Sequence, residues 1–165
     1  MSPLIFAAAG LALTAIPKAA LFDAPVHIVA RAAPFSVVTI EAATKIDGNR
    51  YHSWASFRTN HEGVVDVARS APTAGSYTSS DAMGLFWSMT PFGPSVFSTP
   101  TLEPMLVSLT VNAGTRHAKV TLTRLRTAPD VIRQPIQNAP FVGTLFQHQS
   151  GPPRAIVVVL GGSEG

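Results

Sequence analysis

The feature that most constrains this fold is a turn signal between two stretches of alternating side chains. Apolar and polar side chains alternate from Phe35 to Ile46 and again from Arg50 to Thr59. Alternation with period two places one set of side chains on each face of a strand. Asp47-Gly48-Asn49 lies between the stretches, and these residue types tolerate the positive φ of a tight turn. The pattern predicts an antiparallel β-hairpin.

Further short strands are predicted on both sides of this hairpin. Apolar or alternating stretches occur at Leu11–Ile16, Pro25–Ala32, Val64–Val67, Pro104–Asn112 and Thr115–Arg126. Turn residues separate them, and strands recur roughly every ten to twelve residues, a spacing typical of a sandwich of two antiparallel sheets. We therefore expect an all-β sandwich domain over residues 11–126.

The composition narrows the functional classes. The chain has 165 residues, with 46% hydrophobic and 13% charged residues, which is typical of a globular protein. It contains no Cys, and this excludes a disulfide framework, a thiolate metal site and a Cys nucleophile within the chain. A net charge of +3 is too small to indicate a nucleic-acid partner, so none is expected.

The first 17 residues carry no charged side chain, and two interpretations of them stay open. The apolar stretch is short for a membrane span, so no transmembrane span is expected. It is either the core of a signal peptide or a leader of residues 1–10 followed by the first strand. No Lys or Arg precedes it and no clear cleavage pattern follows it. A cytoplasmic location is therefore favoured, and export through residues 1–17 is the alternative.

The segment Pro72–Pro91 is too rich in Gly and Ser for a regular strand and too aromatic for a solvated loop. We expect a structured connection whose rings pack on the sandwich, with a short helical turn between Asp81 and Met89. Ser80-Asp81 is expected to cap that turn. The alternative is a packed loop without chemistry. The predicted structural motif consists of Gly75, Tyr77, Asp81, Met83, Gly84 and Trp87.

The composition changes after residue 126. Residues 127–140 contain three prolines and are predicted to be a linker. Phe141–Gln147 is a predicted strand, and Ala155–Leu160 is a continuous apolar run typical of a parallel strand buried on both faces. Such a strand needs neighbouring strands and covering helices. Residues 141–165 are therefore expected to be the start of a truncated second domain of the α/β class.

A glycine-rich loop, Gly161-Gly162-Ser163-Glu164-Gly165, follows the apolar run. At the carboxyl end of such a strand, its backbone N–H groups would be able to bind an anion, as an oxyanion hole or a phosphate cradle. Ser163 meets the G-x-S-x-G pattern only formally, because no helix follows. A loop without chemistry is the favoured interpretation from the pattern alone.

Histidines and basic residues give no strong site. The five His are scattered without metal-ligand spacing, so no metal site and no cofactor are expected. Six basic residues cluster in a part of the sequence where Asp130 is the acidic residue that balances them, and they form either a solvated strand face or a weak anion-attracting surface. These residues are Arg116, His117, Lys119, Arg124, Arg126 and Arg133.

Three blocks resemble a known family. They are P-K-A-A-L-F-D-A-P-V-H-I (17–28), G-V-V-D-V-A-R-S-A-P (63–72) and G-S-Y with M-G-L-F-W-S-M (75–89). In this order, they are similar to the N-terminal domain of acyl-CoA thioesterases and bile acid-CoA:amino acid N-acyltransferases. The resemblance extends over residues 11–165, and F-V-G-T-L-F with A-I-V-V-V-L-G-G-S-E-G resembles the opening of that family's α/β-hydrolase domain.

The resemblance implies an immunoglobulin-like antiparallel β-sandwich followed by the first strands of a truncated α/β-hydrolase domain. It implies acyl-CoA as the substrate, no cofactor, and a role in fatty acid metabolism through hydrolysis to free acid and CoA or acyl transfer to an amino acid. The Ser or Cys nucleophile, the Asp and the His of the family lie beyond this chain, so no catalytic residue is expected in it. Only the backbone of Gly161, Gly162 and Ser163 matches a position that would help hold the oxyanion.

Two alternatives to a domain of an acyl-CoA enzyme stay open. One is a stand-alone β-sandwich that binds a protein or glycan, and it would expose a row of aromatic side chains. The other is an inactive gene remnant. The placement of Trp87 in a block predicted to be buried speaks against the binding module.

Overall fold

The computed structural model describes residues 10–97, 101–138, 141–152 and 155–159. The chain divides into two compact units, Met1–Arg126 and Thr127–Gly165. The regular secondary structure of the described residues is almost entirely β, with a single four-residue helix among them. The all-β prediction is confirmed. The finer assignment to the immunoglobulin-like class stays a prediction.

Ten strands and the helix make up the described part of the first unit. In chain order they are β1 (Ala12–Ile16), β2 (Ala19–Leu21), β3 (His27–Arg31), β4 (Val37–Ile46), β5 (Asn49–Arg58), β6 (Val64–Asp66), β7 (Ala74–Gly75), α1 (Gly84–Trp87), β8 (Thr90–Pro91), β9 (Met105–Ala113) and β10 (Arg116–Leu125).

The strands form two sheets. The smaller sheet has the order β1-β3-β6, and the larger has the order β2-β10-β9-β4-β5-β7, with β8 also pairing with β5. All pairs are antiparallel except β2 with β10, which is parallel. Buried residues of both sheets belong to one hydrophobic cluster, so that the core lies between the sheets as in a sandwich.

The predicted hairpin is present. Asp47 and Gly48 have φ of 47° and 86°, and Ile46 pairs with Asn49 across the turn. Positive φ at both central residues is the backbone geometry that matches the twist of a two-residue hairpin. This turn sets the register of β4 and β5, and Val38, Ile40 and Ala42 point into the core as the alternation predicts.

Three short strands are absent from the sequence prediction. β2 has three residues, and β7 and β8 have two each. Elements of this length contain too few residues for a period-two pattern to show. They exist because longer strands offer free edges, namely β10 for β2 and β5 for both β7 and β8.

The described part of the second unit contains one antiparallel hairpin. β11 (Val131–Asn138) pairs with β12 (Phe141–His148). The predicted strand from 141 is therefore present, whereas residues 131–138 of the predicted linker, 127–140, form a strand. Pro135 lies opposite Thr144, and in a two-stranded sheet every strand has an outer edge where a proline without N–H is tolerated.

The apolar run predicted as a buried strand, 155–160, also differs from expectation. Its described part, 155–159, forms no strand, and Ile156, Val157, Val158 and Val159 are 74–87% exposed. An apolar run becomes a buried strand only where neighbours cover it, and the described residues of this unit pair no strand with it. The loop Gly161, Gly162 and Ser163 lies outside the described residues.

Candidate functional site

The segment 72–91 lies along the edge of β5. The Thr73 N–H donates to the Ser56 carbonyl at 2.7 Å, and the Ser76 N–H donates to the Trp54 carbonyl at 2.8 Å. Gly75 has φ of 148°, and a Cβ there would lie 2.5 Å from the Trp54 oxygen. Only glycine therefore allows the segment to approach β5 this closely.

A short helical turn is present in the segment, as predicted, but it is restricted to α1. Asp81 precedes it, and its two carboxylate oxygens act differently. Oδ1 accepts from the Met83 N–H at 2.7 Å, and Oδ2 accepts from Nε1–H of Trp87 at 2.8 Å. Asp81 therefore orders the entry to α1 through an Asx-type turn, while Met83 occupies the N-cap position.

Tyr77 is buried beneath α1, with 4% of its surface exposed. A Cβ on Gly84 would come within 2.6 Å of three atoms of the Tyr77 ring, so that glycine is required for the ring to fit. Burial, with a smaller contribution from Asp81, raises the pKa of Tyr77 to about 12. Within the described residues, the Tyr77 hydroxyl is buried without a hydrogen-bond partner.

Trp87 is 61% exposed, so the prediction that its ring is buried is wrong. α1 is a single turn, and its buried residues are Gly84 and Leu85. The indole is nevertheless held in place by Asp81 and lies 6.1 Å from the Tyr77 ring, centroid to centroid. The motif residues therefore form one cluster around α1, except Gly75, which lies against β5.

Arg124 is also placed differently from expectation. The predicted basic cluster puts it on an accessible surface, yet its side chain is only 1% exposed. Its Nη2 donates to the carbonyls of Phe22 and Ala24 at 2.8 and 2.7 Å, and its guanidinium lies 4.7 Å from the Phe86 ring centroid. Burial, partly opposed by Asp23, lowers the pKa of Arg124. The side chain therefore joins β10, the 22–24 loop and α1.

The other members of the basic cluster lie in different local environments. Arg126 is paired with Asp47, with 3.2 Å between Nη2 and Oδ1. Partial desolvation raises the pKa of Asp47, but hydrogen bonds from Thr101 and Arg126 outweigh it, and the pKa is lowered overall. Three members are exposed on β10, namely Arg116, His117 and Lys119, and Arg133 belongs to the second unit.

The histidines show pairwise contacts rather than a site. His27 Nε2 lies 3.2 Å from Asp66, and His148 Nδ1 lies 2.6 Å from Asp130. Among the hydrogen bonds of the described residues, no His ring pairs with a Ser or Thr hydroxyl. The same residues contain no group of three or more side chains suited to a metal ion.

Within the described ranges, no helix is long and apolar enough to cross a bilayer.

A groove of about 690 Å³ lies on the outer side of the β4–β5 hairpin. Sequence reasoning missed it, because it is formed by two strands and the 92–96 loop, which no local pattern connects. Arg50 lies over the ring of Phe92, with 4.5 Å from Cζ to the centroid, and His52 meets the same ring edge-on at 6.1 Å. The groove is also lined by Glu41, Ala43, Thr44, Lys45, Gly48, Tyr51, Pro94 and Val96.

Comparison with known proteins identifies the family of this all-β chain. Residues 23–138 match the family described as the acyl-CoA thioester hydrolase/BAAT N-terminal region, and the chain belongs to this family. The resemblance inferred from the three sequence blocks is confirmed.

The relatives are considerably longer. The mouse bile acid-CoA:amino acid N-acyltransferase is 32% identical over 175 residues, which cover 93% of this chain and 40% of the relative. The human protein of that name is 34% identical over 149 residues, covering 81% of the chain and 36% of the relative. Mouse acyl-coenzyme A thioesterase 3 is 31% identical, covering 86% and 35%. The chain thus spans about two fifths of the length of these relatives.

Proposed function

We propose that this chain is the N-terminal β-sandwich module of an enzyme that acts on acyl-CoA thioesters. The observation that carries the proposal is the family match over 23–138. Similar proteins are named as acyl-CoA thioesterases or as bile acid-CoA:amino acid N-acyltransferases. The acyl acceptor of the proposed reaction is accordingly water or an amino acid.

In this proposal the chemistry takes place in an α/β-hydrolase domain, and the sandwich module is not catalytic by itself. Acyl transfer from a thioester needs an activated nucleophile and a base within hydrogen-bond reach. The described residues contain no such His–Ser or His–Thr pair. The backbone of Gly161, Gly162 and Ser163 would contribute to the oxyanion hole of the complete enzyme, where each donor stabilises the developing charge by a few kcal/mol. The module would support the hydrolase domain and shape the entrance for acyl-CoA.

Release of CoA thiol from acyl-CoA tests this proposal, with a chromogenic disulfide as the reporter. The protein purified from its native source and residues 1–165 alone are compared at equal concentration. Amide products are measured by mass spectrometry in the presence of a mixture of amino acids. We expect turnover by the native protein and none above the blank by residues 1–165. Absence of turnover with any acyl-CoA by the native protein would overturn the proposal.

A stand-alone binding module is the second candidate, and the exposure of Trp87 favours it. A rigidly held, exposed indole is typical of interaction surfaces. Acrylamide quenching distinguishes the two candidates in a Trp54→Phe background, measured with and without Trp87→Phe so that the difference between the two signals reports on Trp87 alone. Stronger protection of Trp87 in the native protein than in residues 1–165 would support a packed role within a larger enzyme. Equal quenching, with no thioester turnover, would support the binding module.

A further inference from the structure

We propose that the groove on the β4–β5 hairpin binds the phosphate-bearing nucleotide end of a CoA thioester. This inference rests on the proposed function, because the relatives' names supply CoA as the ligand. The groove itself supplies an independent chemical argument, which comes from its charges, its aromatic wall and its size.

The first observation is a pair of like charges. Lys45 and Arg50 lie directly opposite each other across β4 and β5, and both are exposed. Like charges at directly opposed positions destabilise a sheet. Neither side chain has an acidic partner among the described residues. A phosphate bound between them would replace this repulsion with two charge-assisted hydrogen bonds.

The second observation is the wall formed by Phe92. Its ring is covered by the Arg50 guanidinium at 4.5 Å and met by His52 at its edge. Cation–π attraction holds a guanidinium over a ring, and the planar fork of its N–H donors is suited to bidentate phosphate binding. The contact with Phe92 therefore restrains Arg50 before any ligand arrives.

The wall is anchored to the hairpin. The Phe92 N–H donates to the Arg50 carbonyl at 2.9 Å. The Asn49 amide exchanges two hydrogen bonds with the backbone of Val96, at 2.8 and 2.7 Å. Because these contacts hold the 92–96 loop, ligand binding needs little ordering of the loop, and preorganisation of this kind favours affinity.

Size and polarity select the ligand. A volume of about 690 Å³ lies within the range of small-molecule sites. The two cations face one carboxylate in the lining, and this carboxylate, Glu41, already accepts a hydrogen bond from Asn112 at 3.0 Å. Inorganic phosphate would not use the apolar surface of Phe92, Pro94 and Val96, and an acyl chain would not use the cations. A phosphorylated nucleotide uses both.

Isothermal titration of the 165-residue chain at low ionic strength tests the inference. The probes are CoA, 3′-dephospho-CoA, pantetheine and inorganic phosphate. We expect CoA to bind most tightly, dephospho-CoA less tightly, and pantetheine not at all. Lys45→Gln and Arg50→Gln should each weaken CoA binding about tenfold, as expected for loss of one charge-assisted hydrogen bond. Arg116→Gln is the matched control on β10 and should leave the affinity unchanged.

Unfolding provides a second readout that a purely structural role would not produce. Lys45→Gln should raise the midpoint of thermal unfolding without ligand, because it removes the like-charge pair, and should reduce the stabilisation by CoA. Two results would overturn the inference. One is a CoA affinity that is unchanged in both variants. The other is inorganic phosphate that binds as tightly as CoA, which would mean that the groove holds an adventitious ion only.

Thioester turnover by the native protein is measured separately. Turnover with a KM unaffected by Lys45→Gln and Arg50→Gln would refute the groove and leave the proposed function intact.

Discussion

Replacement of Arg124 tests how the central segment is attached to the sandwich. The guanidinium is buried where β10, the 22–24 loop and α1 meet. Arg124→Ala removes two charge-assisted hydrogen bonds and the packing of the side chain against Phe86. We therefore expect a loss of stability that is much larger than for an exposed arginine.

The size of the effect follows from opposing terms. Each hydrogen bond to a charged group contributes about 1.5–3 kcal/mol, and truncation of a large buried side chain costs about 2–5 kcal/mol. Release of a buried charge into water offsets several kcal/mol of this. We expect Arg124→Ala to lower the free energy of unfolding by about 2–4 kcal/mol. Arg124→Met keeps most of the volume and removes the charge, so it should stay within about 1.5 kcal/mol of the wild type.

Urea unfolding followed by far-UV circular dichroism measures these changes. Arg116→Ala is the control, because it lies on the same strand with its side chain exposed and should change stability by less than about 0.5 kcal/mol. Trp87 fluorescence in a Trp54→Phe background reports on α1 in the same titration. If Arg124→Ala were as stable as Arg116→Ala, the guanidinium would not be the link between α1 and β10, and our reasoning would be wrong.

Three further predictions concern Tyr77, Gly84 and Asp47. Gly84→Ala should destabilise by about 1–3 kcal/mol in urea unfolding, because its Cβ overlaps the Tyr77 ring, whereas Gly10→Ala meets no atom within 4 Å and should be neutral. Because the pKa of Tyr77 is raised, the neutral side chain contributes to the stability of the folded state below pH 10, and this contribution is lost as the pH rises to about 12. Tyr77→Phe should abolish that loss. At pH 7 the variant should be at least as stable as the wild type, because it lacks a buried hydroxyl without a partner. An unchanged alkaline transition would contradict this prediction. The lowered pKa of Asp47 means that its contribution is present above its ordinary pKa of 3.8 and is lost as the pH falls through the folded value. Acid unfolding of Asp47→Asn should therefore show a weaker pH dependence than the wild type, and equal curves would refute the assignment.

Sequence patterns predicted the sandwich well because its long strands contain enough residues for the alternation of apolar and polar side chains to be recognised. In β4 and β5 the alternation and the Asp47-Gly48 turn specify partner, register and inward face together. For Arg124, the charge of the side chain led to a wrong prediction of its exposure. Its position continues the inward series of Val120 and Leu122, so that period two predicts its burial, whereas its charge suggested a solvated face.

The remaining differences depend on tertiary contacts that no local pattern encodes. Trp87 is exposed because α1 is one turn long and buries Leu85, although the block around it is aromatic. Pro135 suggested a linker, but a two-stranded sheet provides an outer edge that accepts proline. The groove depends on the contact of Phe92 with Arg50, and Phe92 directly follows β8, which pairs with β5.

The intact mass of the protein isolated from its native source tests the central claim most directly. If the chain is the N-terminal module of an acyl-CoA enzyme, the native polypeptide should be considerably heavier than 17.4 kDa, as expected from relatives of which this chain covers about two fifths. The additional sequence should supply a nucleophile, an acid and a His. A native mass of 17.4 kDa would contradict the account and leave a binding module or an inactive remnant.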